Sequence, residues 1–240
     1  MRISWRHVLL LFVLFGSLGV LLTRAAIPQD LHYHDFADRR GWLGIPNFAD
    51  VMSNVPYLFV GIAGLRQWRR LTVSWRVFFF GVALVSFGSA YYHWAPSNGT
   101  LVWDRMPMTI AFMALFTALV SEFVEPKLEK WMLGPALVIG AASVIYWEFT
   151  DDLRWYAWVQ FGPLLVIPVM MVLFRSRFTH SELILTALGG YALAKLLEAR
   201  DREIFTWTHG VVAGHAIKHL VSAGSCWVLL EMVRRRGARA

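Results

Sequence analysis

Eight apolar stretches, each long enough to cross a bilayer, dominate this sequence. The hydrocarbon core of a membrane is about 30 Å thick, and an α-helix of about 20 residues spans it. The chain has 240 residues, of which 57% are hydrophobic, so no second soluble domain fits between the stretches. We place the spans at residues 8–27, 47–66, 75–94, 102–123, 131–149, 154–174, 181–199 and 208–233. The sequence therefore predicts an all-α integral membrane protein.

The predicted organisation is a seven-helix transmembrane bundle with an additional N-terminal hydrophobic helix. Residues 1–28 have a basic start, a long apolar core and then small residues, which predicts a signal anchor or a cleaved signal peptide. We expect an acidic extracytoplasmic segment at 29–46 and the membrane domain at 47–234. Residues 235–240 form a basic tail that we place in the cytoplasm.

The basic residues indicate how the spans are oriented. The net charge is +7, but the basic residues sit in short clusters between apolar runs, which favours a topology signal and argues against nucleic-acid binding. With an uncleaved first span and a cytoplasmic amino terminus, most of the 23 Lys and Arg residues fall on the cytoplasmic side. The prediction is a multi-pass protein with both termini in the cytoplasm. No protein partner is evident.

Cysteine usage narrows the kind of metal site that the chain can build. Cys226 is the only cysteine, so an intrachain disulfide, a cysteine zinc cluster and a CxxC redox pair are all excluded. A metal site must therefore use His and carboxylate ligands. Ionisable residues inside membrane spans are costly and usually functional, so they are the places to look.

Three motifs place polar side chains in one layer of the predicted bundle. Ser89 and His93 are four residues apart and share one helical face, as do His215 and His219. Asp104 lies near the start of the intervening span. The predicted topology brings all five to the extracytoplasmic side. Three neutral imidazoles and a water form a catalytic zinc site, with a carboxylate to deprotonate the water and a hydroxyl to assist the oxyanion.

The same motifs resemble the alkaline ceramidase family, which belongs to a wider group of seven-helix membrane hydrolases and receptors. The likeness rests on NFADVMSNVPYLFVGIAGL, GSAYYHWAPSNGTLVWDRMPM and HAIKHLVSAG, and it covers roughly residues 35–230. The short loops fit a bacterial member. The resemblance implies one catalytic zinc ion and a ceramide-like membrane lipid, whose amide bond is hydrolysed to a sphingoid base and a fatty acid. It implies His93, His215 and His219 as zinc ligands, Asp104 for the water and Ser89 at the oxyanion.

The resemblance also suggests a calcium site in the acidic segment. Its ligands would be Asp35, Asp38, Asn47 and the carbonyl group of Phe36. Arg40 stands where another oxygen ligand is expected, and a cation beside a calcium ion is electrostatically unfavourable. The alternative is a solvated acidic loop.

Two other classes of function are compatible with these residues. A receptor can share the zinc scaffold without turnover, although the loops offer no obvious effector-binding domain. A transporter or channel can use intramembrane His and Asp as an ion path. Such a path should continue through the bilayer, but the only matching ionisable residues in the cytoplasmic halves of the spans are Glu122 and Glu231, near the ends. A polar site that does not continue across the membrane is a closed pocket, which favours an enzyme over a channel. Lys218 is expected either to snorkel to the interface or to pair with an acid.

Overall fold

The computed structural model describes residues 3–239, and within that range the chain forms ten α-helices. In chain order they are α1 Trp5–Leu22, α2 Phe48–Met52, α3 Val55–Leu65, α4 Val73–Trp94, α5 Asn98–Phe123, α6 Leu128–Thr150, α7 Arg154–Leu173, α8 Leu183–Ala199, α9 Asp201–Trp207 and α10 Gly214–Arg235. The predicted all-α class is confirmed. Positions 1, 2 and 240, which belong to the predicted segments 1–28 and 235–240, lie outside the described residues.

Seven helical segments are long and apolar enough to cross a membrane, and the N-terminal α1 is one of them. The predicted count of seven plus an N-terminal helix is therefore wrong for residues 3–239. The difference is α8, predicted as the span 181–199, which has 17 residues. It begins only at Leu183 because turns occupy 179–182 and His180 has a φ of 61°, outside the helical range.

The short α8 still runs beside α10 from one end to the other. Before α8, Phe178 forms a backbone bridge with Ala238, just beyond the end of α10. After α8, Asp201 accepts a hydrogen bond of 2.7 Å from the backbone N–H of His215, in the first turn of α10. The two helices are therefore antiparallel neighbours.

Both described chain ends lie at the same end of the bundle. The His7 ring packs against Phe174, which directly follows α7, at a centroid distance of 5.1 Å. Arg236, which follows α10, forms a buried ion pair with Glu122 near the end of α5. Trp75 donates a second hydrogen bond, of 2.6 Å, to the same carboxylate. Glu122 is thus held within the fold by two partners.

The second predicted span, 47–66, is a broken helix. Pro56 lies in the first turn of α3, where its missing N–H costs nothing, but it cannot continue a helix that enters from α2. Ser53 and Asn54 form the break between α2 and α3. At this break the Ser53 hydroxyl lies 2.8 Å from Nδ1 of His219, near the start of α10.

A close approach of α4 and α5 brings two of the predicted site residues together. An added Cβ at Gly88 would overlap the carbonyl oxygen of Trp103, so only glycine permits this packing. Ser89 follows Gly88 and Asp104 follows Trp103 in the chain. The glycine contact therefore places the hydroxyl and the carboxylate at the same level of the bundle.

Candidate metal centre

Three buried histidines converge at one end of the bundle. His93 lies in the last turn of α4, and His215 and His219 lie in the first turns of α10. Their ring centroids are 4.8, 4.9 and 5.0 Å apart, which is nearly an equilateral triangle. One nitrogen from each ring lies within 4.8 Å of the others. Among residues 3–239 this is the one group of three or more His, Cys, Asp or Glu side chains with such spacing.

The nitrogens of these rings fit a metal ion. Both ring nitrogens of His93 and Nε2 of His215 are buried without a hydrogen-bond partner. Buried polar atoms are nearly always partnered, so orphaned nitrogens on two neighbouring rings of this cluster indicate a ligand that the polypeptide does not supply. Three imidazoles leave a tetrahedral ion one open position, which is the donor set of catalytic zinc sites.

Ser53 orients the third histidine. Its hydroxyl donates to the backbone carbonyl of Asp50 at 2.9 Å and lies 2.8 Å from Nδ1 of His219. Because the hydroxyl has a single proton, it accepts a hydrogen bond from Nδ1–H of His219. This arrangement leaves Nε2 of His219 as the free ligand atom. Sequence reasoning missed Ser53, although a polar side chain in the apolar run FADVMSNVPYLF was a signal.

We expect Ser53→Ala to weaken metal binding by about tenfold to a hundredfold, because partners of a metal-ligating histidine fix its tautomer and ring orientation. Competition against a chelator of known affinity measures the change. Ser143→Ala is the matched control, since Ser143 is equally buried but bonds only to the Gly140 carbonyl within α6. Equal affinities in the two variants would contradict the role of Ser53.

A hydrophobic cavity of about 290 Å³ lies beside the histidines. Ser89, Asp104 and His219 all form part of its wall. The rest of the wall is mostly apolar and comes from α4, α5, α7, α8 and α10. The structure therefore gathers the predicted hydroxyl, the predicted carboxylate and one of the three histidines around one space.

The polar end of this cavity contains an ionic cluster. Glu198 pairs with Lys218 at 2.5 Å and also with Lys195. Of the two expectations for Lys218, pairing with an acid is therefore the one observed. A carboxylate between two ammonium groups offsets the cost of burying them.

The acidic segment before α2 does not fit a calcium ion. Asp35 forms ion pairs with Arg39 and Arg202, and Asp38 pairs with Arg40 at 2.7 Å. The hydrogen bond from Arg40 lowers the pKa of Asp38. Calcium sites need carboxylate oxygens free of competing cations. The sequence indicated one arginine that disfavours calcium binding, whereas in the structure three arginines pair with these two carboxylates.

The other two suggested calcium ligands also have different partners. The Phe36 carbonyl accepts a hydrogen bond of 3.4 Å from Nε of Arg39. The Phe36 ring covers the histidines, at centroid distances of 4.7 Å from His93 and 4.6 Å from His215. The Asn47 amide donates to the backbone carbonyl of His93 at 2.8 Å. Both residues therefore support the histidine cluster in this structure.

A second cavity of about 270 Å³, lined mainly by polar and charged residues, adjoins His215. His215 and Phe36 contribute to its wall. Tyr33 and Glu198 line both cavities, and the Tyr33 hydroxyl donates to Glu198 at 3.1 Å. Burial raises the pKa of Tyr33, so this hydroxyl keeps its proton. The hydrogen-bonded pair separates a polar space from an apolar one.

Comparison with known proteins decides the family. A family model described as Ceramidase matches residues 44–233. The chain belongs to the ceramidase family. The match begins after α1, near the end of the acidic segment, and includes Ser89, Asp104 and the three histidines. Comparison with the curated proteins finds no match.

Ceramidase-family membership confirms the resemblance seen in the sequence. It implies a hydrolase and suggests a lipid substrate. The buried histidine cluster, which lies inside the matched region, is compatible with a metal-dependent member of the ceramidase family. Seven candidate membrane spans make the protein a multi-pass membrane protein.

Proposed function

We propose that this chain is an intramembrane zinc-dependent amidase, which hydrolyses the amide bond of ceramide or a related lipid to a sphingoid base and a fatty acid. The main support is one juxtaposition. The His93, His215 and His219 cluster, with orphaned nitrogens, lies at the end of an apolar cavity whose wall also includes Asp104 and Ser89. An acyl chain suits the apolar part, and the reactive amide then lies at the polar residues.

His93, His215 and His219 would hold the zinc ion. When bound, zinc supplies a Lewis acid that activates a water and polarises an amide carbonyl. Asp104 accepts the proton of the attacking water and passes it to the leaving nitrogen. Ser89 donates a hydrogen bond to the carbonyl oxygen as negative charge develops there. Ser53 holds His219 in the required tautomer.

The proposed orientation places the histidine end of the bundle towards the extracytoplasmic side. Both described chain ends would then be cytoplasmic, as would the arginine-rich tail 235–240, which agrees with the positive-inside rule. This arrangement requires α8 to cross as well. A helix of 17 residues rises about 25 Å, which is at the lower limit for a span. Residues 1–28 would serve as an anchor when they are retained.

The testing experiment combines metal analysis with substrate hydrolysis. The purified protein in detergent is analysed for zinc and then incubated with a fluorescent ceramide and a panel of lipid amides and esters. We expect about one zinc ion per chain and release of fatty acid. Zinc without turnover of any lipid would support a receptor-like protein instead. Absence of zinc from active protein would overturn the proposed site.

A further inference from the structure

Arg105 is a buried cation that has no carboxylate partner. It is 6% exposed and forms part of the wall of the hydrophobic cavity. Its Nη2 donates to the side-chain oxygen of Gln29 at 2.6 Å, but its Nη1 is buried with no hydrogen-bond partner. Among residues 3–239, no Asp or Glu oxygen lies within 4.0 Å of its guanidinium nitrogens.

Aromatic rings hold this guanidinium in place. Its central carbon lies 4.1 Å from the ring centroid of Trp147 and 4.6 Å from that of Tyr156, with Tyr33 at 6.0 Å. Cation–π contacts of this kind stabilise a desolvated cation. They leave the Nη1 proton donors of Arg105 unused. Such a group is prepared to bind an anion.

The charges around the cavity do not balance. The described residues that line it include the cations Arg105, Lys195 and Lys218 but only two carboxylates, Asp104 and Glu198. Glu198 is shared by the two lysines. Lys195 is partly exposed to solvent, so Arg105 is the cation in this wall that is both buried and without a carboxylate partner, and an unpaired buried charge is costly. A carboxylate can pair with it through the free Nη1, because the planar guanidinium matches the geometry of a carboxylate.

We infer that Arg105 binds a carboxylate on a substrate, and that the amidase also accepts, beside ceramide-like lipids, single-chain lipid amides whose amine portion carries this group, such as N-acyl amino acids. This inference rests on the proposed amidase function. The acyl chain occupies the apolar part of the cavity, along α4, α5 and α10. The amide carbonyl lies near Asp104 and His219. The group beyond the amide nitrogen then reaches the polar part of the wall, to which Arg105, Lys218 and Glu198 all contribute.

A matched pair of probes tests this assignment. N-palmitoylglycine and N-palmitoylethanolamine share the acyl chain and the amide, but only the first carries a carboxylate. We expect the purified wild-type protein to bind N-palmitoylglycine about tenfold to a hundredfold more tightly, as measured by equilibrium binding, because a hydrogen bond to a charged partner is worth that much. Equal binding of the two probes would overturn the inference.

Substitutions show whether Arg105 causes the preference. Arg105→Gln should abolish it, Arg105→Lys should retain part of it, and the exposed Arg200→Gln should leave it unchanged. If Arg105→Gln fails to fold, the relative binding of the two probes to the wild-type protein and to Arg105→Lys still tests the assignment. A preference that persists in folded Arg105→Gln would contradict the assignment. Palmitate is the third probe: if Arg105→Gln weakens only palmitate binding, Arg105 contacts the product carboxylate and the inference fails.

The binding readout separates this inference from the proposed function. Binding of N-palmitoylglycine that depends on Arg105, without hydrolysis of any amide, would support the carboxylate site and contradict the amidase. Hydrolysis of both amides at equal rates in wild type and in Arg105→Gln would support the amidase and contradict the carboxylate site.

Discussion

Replacing Asp104 with Asn is expected to reduce lipid hydrolysis by at least about a hundredfold, because a positioned general base contributes about that much or more to the rate. Asparagine has nearly the same shape as aspartate but cannot accept the proton of the attacking water. Asp104 is not one of the three histidine ligands, so the zinc content should stay near that of the wild type. Initial rates and metal content measured on the same preparation check both parts.

The matched control for this variant is Asp30→Asn. Asp30 caps a short helical turn before α2 by accepting from the His32 N–H at 2.9 Å, and asparagine caps such turns equally well. This control should keep its activity. Full activity in Asp104→Asn would show that the general-base assignment is wrong. Loss of zinc from Asp104→Asn would instead indicate that the carboxylate is needed to hold the metal.

Replacing His215 with Ala is expected to lower zinc affinity by more than about a hundredfold, since the loss of a ligand exceeds the loss of a ligand's hydrogen-bond partner. Hydrolysis should fall with the zinc content. The hydrogen bond from the residue 215 backbone to Asp201 survives the change, so α10 should still begin at the same place. Metal analysis after dialysis, together with the unfolding temperature, gives the comparison.

His32→Ala is the control for adventitious metal binding. His32 is exposed and lies outside the histidine cluster, so its removal should leave the tightly bound zinc unchanged. A His215→Ala protein that still binds zinc as tightly as the wild type would contradict the proposed ligand set. Zinc loss in both variants would place the ion outside the cluster.

The sequence was sufficient to predict the histidine cluster because its information is local. His215 and His219 are one helical turn apart, so any helix brings them together. The order of the apolar spans predicted that α4 ends on the side of the membrane where α10 begins, which places His93 at the same depth as His215 and His219. The break at Ser53–Asn54 could not be predicted in the same way, because Pro56 permits either a kink or a new helix, and tertiary contacts decide between them.

The remaining differences depend on partners that are distant in the chain. Arg202 lies 167 positions after Asp35, and only the fold shows that the two side chains form an ion pair. The same holds for Arg105, whose aromatic neighbours come from α6, α7 and the segment before α2. Helix α8 was predicted two residues too long because the predicted span included the polar Ser181 and Glu182, while the backbone turn at His180 delays the helix until Leu183.

The Tyr33–Glu198 boundary between the two cavities has a kinetic consequence. Under the proposed function, hydrolysis consumes one molecule from the membrane and one from water, and each has its own route to the histidines. The lipid does not have to displace the water to arrive. The reaction rate should therefore follow the mole fraction of substrate in the bilayer rather than its bulk concentration, and diluting the substrate with inert lipid should slow the reaction even when total substrate is constant.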